Sequence, residues 1–330
     1  MHPDSSSPPA ARPRTSGAPV PPRRPTLLPG LVVATREAGR LQVGLDEPRR
    51  VVLPDHPDVL RLLAALRDRT PPTPTTPEGV RALTALVGAG LVVDADLLDA
   101  AGAGTAGPGA VAAAFAAHGD AAALLLQRRS EAVVAVEGGD TVPVAATDLA
   151  VRLLREAGAG VADSGEGRGA GGGRARRTRA ARAPASRPDV VLRLSAGPPA
   201  RPGLDPLLQE AQPHLLVVGG PEGVVVGPFV EPGVTACLRC VDAARAEHDP
   251  RRGLVLEQVA AAPAPVAPLD PALLHLAVSW AVRDVVTYLD GGTPSTWSTT
   301  VEVDELLSCR SRRWLRHPRC GCSWDGAQVG

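Results

Sequence analysis

The chain has 330 residues, 35 basic and 35 acidic side chains, and a formal net charge of +0; this lacks the basic excess that a dedicated nucleic-acid or membrane-surface protein carries. Hydrophobic residues make up 44% and aromatics 2%, enough apolar matter for a sizeable core and, at about 150 residues per domain, for two domains. There is no Lys, Ile or Asn, so all 35 basic residues are Arg and any mechanism that needs a lysine is excluded.

Residues 1–26 are rich in Pro, Ser and Arg and hold no apolar run, which predicts a disordered lead-in rather than a signal peptide or anchor. Residues 27–98 open with three short β-type runs, Leu31–Thr35, Leu41–Leu45 and Arg50–Leu53, separated by turn signals at Gly39 and Asp46–Pro48. "DHPDVLRLLAALRD" predicts a helix with Pro57 in its first turn and Leu60, Leu63 and Leu66 on its buried face. A Thr/Pro linker, "RTPPTPTTPEG", leads to a second helix, "VRALTALVGAG". Three small strands with helices predict a winged-helix-like α+β module. Such a module can bind DNA, take an extended peptide on a sheet edge, or serve as a structural cap. Its helices lack an Arg-rich face, so nucleic acid is not the expected partner.

Residues 99–127 predict a helical connector. Its apolar stretch "GAVAAAFAAHGDAAALLL" is broken by His118 and Asp120, so no membrane span and no membrane partner are expected. "AVAAAFAA" reads equally as a buried helix or as a homodimer surface. The expected compartment is the cytoplasm, where thiols stay reduced and closely spaced cysteines read as metal ligands.

Residues 128–324 predict an α/β, Rossmann-like domain. "SEAVVAVEGGD" supplies a buried strand, Ala132–Val136, ending in Gly138 and Gly139, and "ATDLAVRLLREAGAG" supplies a helix. Strand, glycine turn and helix open a nucleotide-binding unit, but a phosphate cradle needs further glycines. Here Asp140, Val142 and Pro143 follow; Pro143 has no N–H and Asp140 repels phosphate. Gly138 and Gly139 are therefore the residues of a degenerate nucleotide loop, set against an ordinary strand-to-helix turn. Residues 160–188 are Gly, Ala and Arg rich and build no core, and Asp163 is their one candidate for a ribose-binding acid. Those arginines read as a solvated loop or as a contact for RNA or an acidic partner. Order returns with strands in "PDVVLRLSAG", "HLLVVGG" and "GVVVGPFV", a helix in "LDPLLQEAQ", a long amphipathic helix over Asp270–Leu289 and a strand in "STTVEVDEL". Residues 325–330 are a tail.

The cysteines carry the sharpest signal. "CLRCVDAARAEHDP" places Cys237 and Cys240 at the start of a predicted helix, and "HPRCGCSW" places Cys320 and Cys322 at the C-terminus. C-x-x-C with C-x-C can surround a tetrahedral Zn²⁺, each pair closing a tight chelate and the two pairs tying distant segments. Gly321 suits the bend between the last two ligands. Four protein ligands close the shell and leave no position for an activated water, so the zinc is structural, and no catalytic residue is assigned. His317 is an alternative ligand, and Cys309, without a partner in spacing, reads as a small buried residue.

"VGPFVEPGVTACLRC" followed by a helix, with the terminal "HPRCGCSW", resembles the ThiF-type, ubiquitin-activating-like family. Within it the chain resembles the actinobacterial branch of cyclodehydratase-like, leader-peptide-binding proteins of thiazole/oxazole-modified microcin (TOMM) and bacteriocin biosynthesis. "GRLQVGLDEPRRVVL" and the helices after it resemble the leader-recognition module of such proteins. The resemblance implies a Rossmann-like domain with a C-terminal zinc clamp, and a precursor leader peptide as partner. It further implies a YcaO-type cyclodehydratase that performs the ATP chemistry elsewhere. Active members of the wider family adenylate a carboxylate with ATP and Mg²⁺. Only the four cysteines carry over residue by residue, which favours a non-catalytic binding or scaffold protein. An adenylating enzyme that uses Arg on the phosphates, and a winged-helix DNA-binding regulator, are the alternatives.

Overall fold

The structure, a computed structural model, describes residues 22–139, 141–162, 187–261 and 269–323. Asp140, Asp163, the first 21 residues, most of the 160–188 insertion and the 325–330 tail lie outside the described residues. The chain divides into two compact units, 1–99 with 115–120, and 100–114 with 121–330.

The first unit pairs β1 (Pro25–Leu27) with β5 (Val92–Asp94) antiparallel, and forms a three-stranded antiparallel sheet from β2 (Val33–Glu37), β3 (Arg40–Val43) and β4 (Val51–Pro54). Two helices stand between β4 and β5, α1 (Pro57–Arg67) and α2 (Pro77–Gly88). Each starts as its sequence dictates: a side chain of the preceding residue, His56 or Thr76, accepts a backbone N–H, and a proline fills the first turn. The buried stripe of α1 is Val59, Leu62, Leu63 and Leu66, spaced i, i+3, i+4, i+7. Leu60, expected on that face, is 48% exposed, because it sits one residue, about 100°, from Val59. The Thr/Pro segment is not a loose linker. Buried Asp58 accepts the Thr75 and Thr76 N–H groups, each at 2.9 Å, and the Thr76 hydroxyl at 2.9 Å, stapling the segment to the head of α1.

In the second unit α3 (Ala95–Gly102), begun in the first, is followed by α4 (Pro108–His118), whose last residues belong to the first, α5 (Ala122–Glu131), β6 (Val133–Gly138), α6 (Val144–Glu156), β7 (Gly160–Val161), β8 (Val190–Ala196), α7 (Asp205–Gln209), β9 (His214–Gly220), β10 (Gly223–Val230), α8 (Leu238–Ala246), α9 (Arg252–Ala261), α10 (Pro271–Leu289), β11 (Thr299–Val303) and β12 (Cys309–Arg313). Its sheet has seven strands in the order β12-β11-β10-β9-β8-β6-β7. β7, β6, β8 and β9 run parallel, and β10, β11 and β12 close the far side as antiparallel meanders. The parallel strands read as unbroken apolar runs because both faces are covered. One face packs on α6 and α10 through Val134, Leu192, Leu194, Leu215, Val217, Val224, Val226 and Phe229.

α10 and the run Pro108–Glu131 have the length and hydropathy of membrane-crossing helices. In α10, however, nine residues from Leu273 to Val286 are buried in the protein core. Within "AVAAAFAA", Val111, Ala114 and Phe115 are buried within the chain. A buried ion pair, Arg129 with Asp290, joins α5 to the end of α10 through two 2.7 Å bonds.

Candidate metal centre and adjoining cleft

α8 is built around its cysteines. Cys237 stands before the helix in an extended conformation and Cys240 lies in its first turn, so a three-residue separation returns both sulfurs to one side. Cys320 and Cys322 arrive on the loop after β12; the Cys320 N–H donates to the His317 carbonyl at 2.9 Å, and Gly321 opens a 3₁₀ turn. Sulfur separations are 3.7 Å for Cys237–Cys240, 3.6 Å for Cys237–Cys320 and 3.3 Å for Cys240–Cys322, and all four lie within 4.8 Å of one another. Tetrahedral Zn–S bonds of about 2.3 Å give sulfur-to-sulfur edges of about 3.8 Å, so the four thiols can hold a metal ion without a change of scaffold.

The setting is dry. Cys237, Cys240 and Cys320 are buried and pack with Val230, Ala236, Val241 and Trp314, while Cys322 is half-buried. Crowding splits the thiols. Hydrogen bonds from Cys237 and Cys320 bring Cys240 down to about 6. Cys237 is pushed far up by its bonds to Cys240, Cys320 and Cys322 and by burial. Cys320 is drawn down by Cys237 but pushed up overall by Cys240, Cys322 and burial. Four thiols so close cannot all ionise on their own, and a divalent cation at their centre removes that obstacle.

His317 is not part of the thiol group. Its Nδ1 accepts the Arg319 N–H at 3.2 Å and its Nε2 faces a Glu247 carboxylate oxygen at 3.1 Å, which fixes the proton on Nε2. It shapes the Cys320 loop and ties it to the end of α8; the bond from His317 holds the Glu247 carboxyl below its ordinary range. Cys309, expected to be buried, is exposed on β12, an edge strand whose residues all face solvent.

Gly138 and Gly139 lie at the end of β6, as strand and turn. The Gly139 N–H donates to the Leu194 carbonyl at 3.1 Å, and the Val142 N–H donates to the Gly139 carbonyl at 2.9 Å. A side chain at Gly138 would lie 2.7 Å from the Thr147 methyl, so this glycine answers to helix packing. Pro143, which lacks an N–H, precedes the first residue of α6 and gives no side-chain cap. Of the turn's amides, those of Gly139 and Val142 are engaged and that of Pro143 is missing.

Beside the metal centre lies a cleft of about 550 Å³ that the sequence did not reveal. Its floor is β9, β10 and β11, one wall is the turn after β8, and the other is α8 and α9; Leu238 and Val241 line the cleft and also pack on the cysteines. Arginines hold the wall in place. Arg201 grips Asp242 with Nε at 2.5 Å and Nη2 at 2.8 Å, Arg239 grips Asp205, and Arg245 reaches Glu302 on β11 at 2.9 Å. The guanidinium of Arg245 lies 5.3 Å, and that of Arg312 4.2 Å, from the Trp314 ring centroid. Sequence reasoning assigned no role to the charges of "VDAARAEHDPRR". The usable signal was that Asp242 and Arg245 follow Cys240 within about one turn, on a helix pinned at its start.

No family model and no curated protein sequence matches the chain. Among solved structures, it matches the heterocyclase TruD at a TM-score of 0.63 and 17% identity, over 92% of this chain and 43% of that one. A heterocyclase in complex with substrate and cofactor matches at 0.61 and 14%, over 91% and 39%. The chain thus spans about four tenths of the length of those proteins. E. coli MccB with ATP matches at 0.57 and 12%, over 91% of this chain and 99% of that one. The Microcin C7 biosynthetic enzyme MccB in complex with N-formylated MccA matches at 0.53 and 13%, over 91% and 99%. The ThiF-type resemblance read from "VGPFVEPGVTACLRC" and "HPRCGCSW" is borne out at the level of the fold, which this chain shares with TruD and MccB.

Proposed function

We propose that this protein is a zinc-stabilised, non-catalytic peptide-binding component of azole-modified peptide biosynthesis, acting in the cytoplasm beside a YcaO-type cyclodehydratase. The observation that carries the reading is the pairing of an intact four-thiol centre, whose helix walls an open cleft, with a strand-to-helix turn whose amides are committed at Gly139 and absent at Pro143. The shared fold with a peptide-complexed MccB supports the peptide. Zinc is the metal that a closed set of four thiolates selects, and its role is to hold α8 and the Cys320 loop together. The first unit serves as a winged-helix-like leader-recognition module, with the outer edge of β2 offered to an extended strand.

The test is a display selection of random peptides against the zinc-loaded full chain, followed by calorimetry of the enriched peptides without nucleotide. Saturable peptide binding together with no ATP–pyrophosphate exchange is the expected result. Robust exchange would make the protein an adenylating enzyme, and failure to enrich any peptide would end the peptide reading.

A further inference from the structure

Three arginines of the second unit show how this protein receives a carboxylate. Arg129 on Asp290, Arg201 on Asp242 and Arg239 on Asp205 each use Nε and Nη2 together, the side-on fork that matches two carboxylate oxygens. Arg252, at the first position of α9, has no such carboxylate among the described residues. Its Nε is buried without a hydrogen-bond partner, and no acid pairs with it among the described residues. Arg252 lines both the 550 Å³ cleft and a smaller cavity of about 270 Å³ that it shares with Arg245, His248, Asp249 and Arg312. A buried donor left unmade costs free energy, so an orphan Nε in a cavity wall marks where a ligand atom belongs.

We propose that Arg252 anchors a carboxylate carried by the bound peptide, either an acidic side chain or the C-terminus; the peptide as carrier rests on the function proposed above. On the cleft side the surroundings favour a single negative charge. Arg201, Arg245 and Arg310 of the cleft are already matched with Asp242, Glu302 and Asp304, and a further acid in the lining, Glu222, has no partner among the described residues. On the cleft side one free guanidinium among such acids suits a carboxylate better than a dianionic phosphate, while on the smaller-cavity side Arg312, matched with no acid among the described residues, adds a second positive charge over Trp314. Leu238, Val241 and Leu256 supply the apolar wall for the residues beside the charge.

The experiment is NMR of the zinc-loaded full chain labelled with ¹⁵N-arginine, with the Arg252 Nε–H resonance assigned by its loss in R252Q. The probes are sodium acetate against sodium chloride, inorganic phosphate, and one short acetylated peptide in three forms: with a glutamate and an amidated end, without the glutamate but with a free C-terminus, and with neither carboxylate. Acetate and at least one carboxylate peptide should move the resonance saturably. That peptide should bind at least ten-fold more tightly than the neutral form, an advantage lost in R252Q and reduced in R252K. A resonance that no probe moves, or that phosphate moves and carboxylates do not, overturns the site. Acetate moving it while no peptide does would keep the carboxylate site and overturn the peptide that carries it.

Discussion

Asp58 shows how much one side chain organises in the first unit. Its buried carboxylate collects two backbone amides and two threonine hydroxyls from the segment before α2, and Arg61 as well. Hydrogen bonds from Thr76, with those from Thr75 and Arg61, hold its folded-state ionisation well below the ordinary value near 3.8, although burial opposes them. A depressed carboxyl contributes stability above its unfolded value and loses it as pH falls through the folded one. The wild-type advantage over Asp58→Asn in urea midpoint should therefore be full at pH 6 and shrink steadily below about pH 4. Gly79 belongs to the same knot: a side-chain carbon there would come 2.2 Å from the Asp58 carboxylate. Gly79→Ala, ordinarily favourable in a helix, should instead destabilise by about 1–3 kcal/mol in denaturant titration. In the second unit, Asp290→Ala leaves Arg129 buried and unpaired. It should cost about 3–5 kcal/mol, most of it recovered when Arg129 is replaced by Met in the same chain.

Among the elements, α8 bears the largest share of the site, since it carries Cys240 and Val241 into the cluster around Trp314 and presents Asp242 and Arg245 to the cleft. Cys240→Ala should release the metal, lower the melting temperature and alter Trp314 fluorescence, whereas Cys309→Ala should change none of the three. Helix α10 and strands β6, β8, β9, β10 and β11 were legible in the sequence because their apolar spacing or unbroken apolar runs match the secondary-structure period. The start of α8 was legible because cysteine spacing is chemical information. The β1–β5 ladder was not: each strand has three residues, too few for an alternating pattern, and the partners lie about 65 or more positions apart. β12, "CRSRR", reads as loop, since its strand character comes wholly from pairing with β11. The cleft escaped for a similar reason. Asp242, Arg245 and Arg252 look like solvated charges until Arg201, Glu302 and Trp314 are brought beside them from distant segments.

At the scale of the whole molecule, the metal is expected to decide whether the second unit stays folded. Apparent binding free energies of structural zinc, about 10–16 kcal/mol, rival the total stability of a domain, about 5–15 kcal/mol. Metal analysis should find one zinc per chain, and a strong chelator should abolish the cooperative melt of the second unit. Affinity should fall as pH drops, because Cys237 and Cys320 must give up protons held by their neighbours when the metal enters. With a metal bound, the centre would also close a ring of chain, since Cys237 and Cys320 stand 83 positions apart. Tying ends so far apart withdraws on the order of 4 kcal/mol of loop entropy from the unfolded chain. It also gives the polypeptide a fastening that survives a cut. If a protease severs the backbone anywhere between Cys240 and Cys320, the two fragments should remain one particle while a metal is bound, each contributing two sulfurs, and a chelator should weaken that hold.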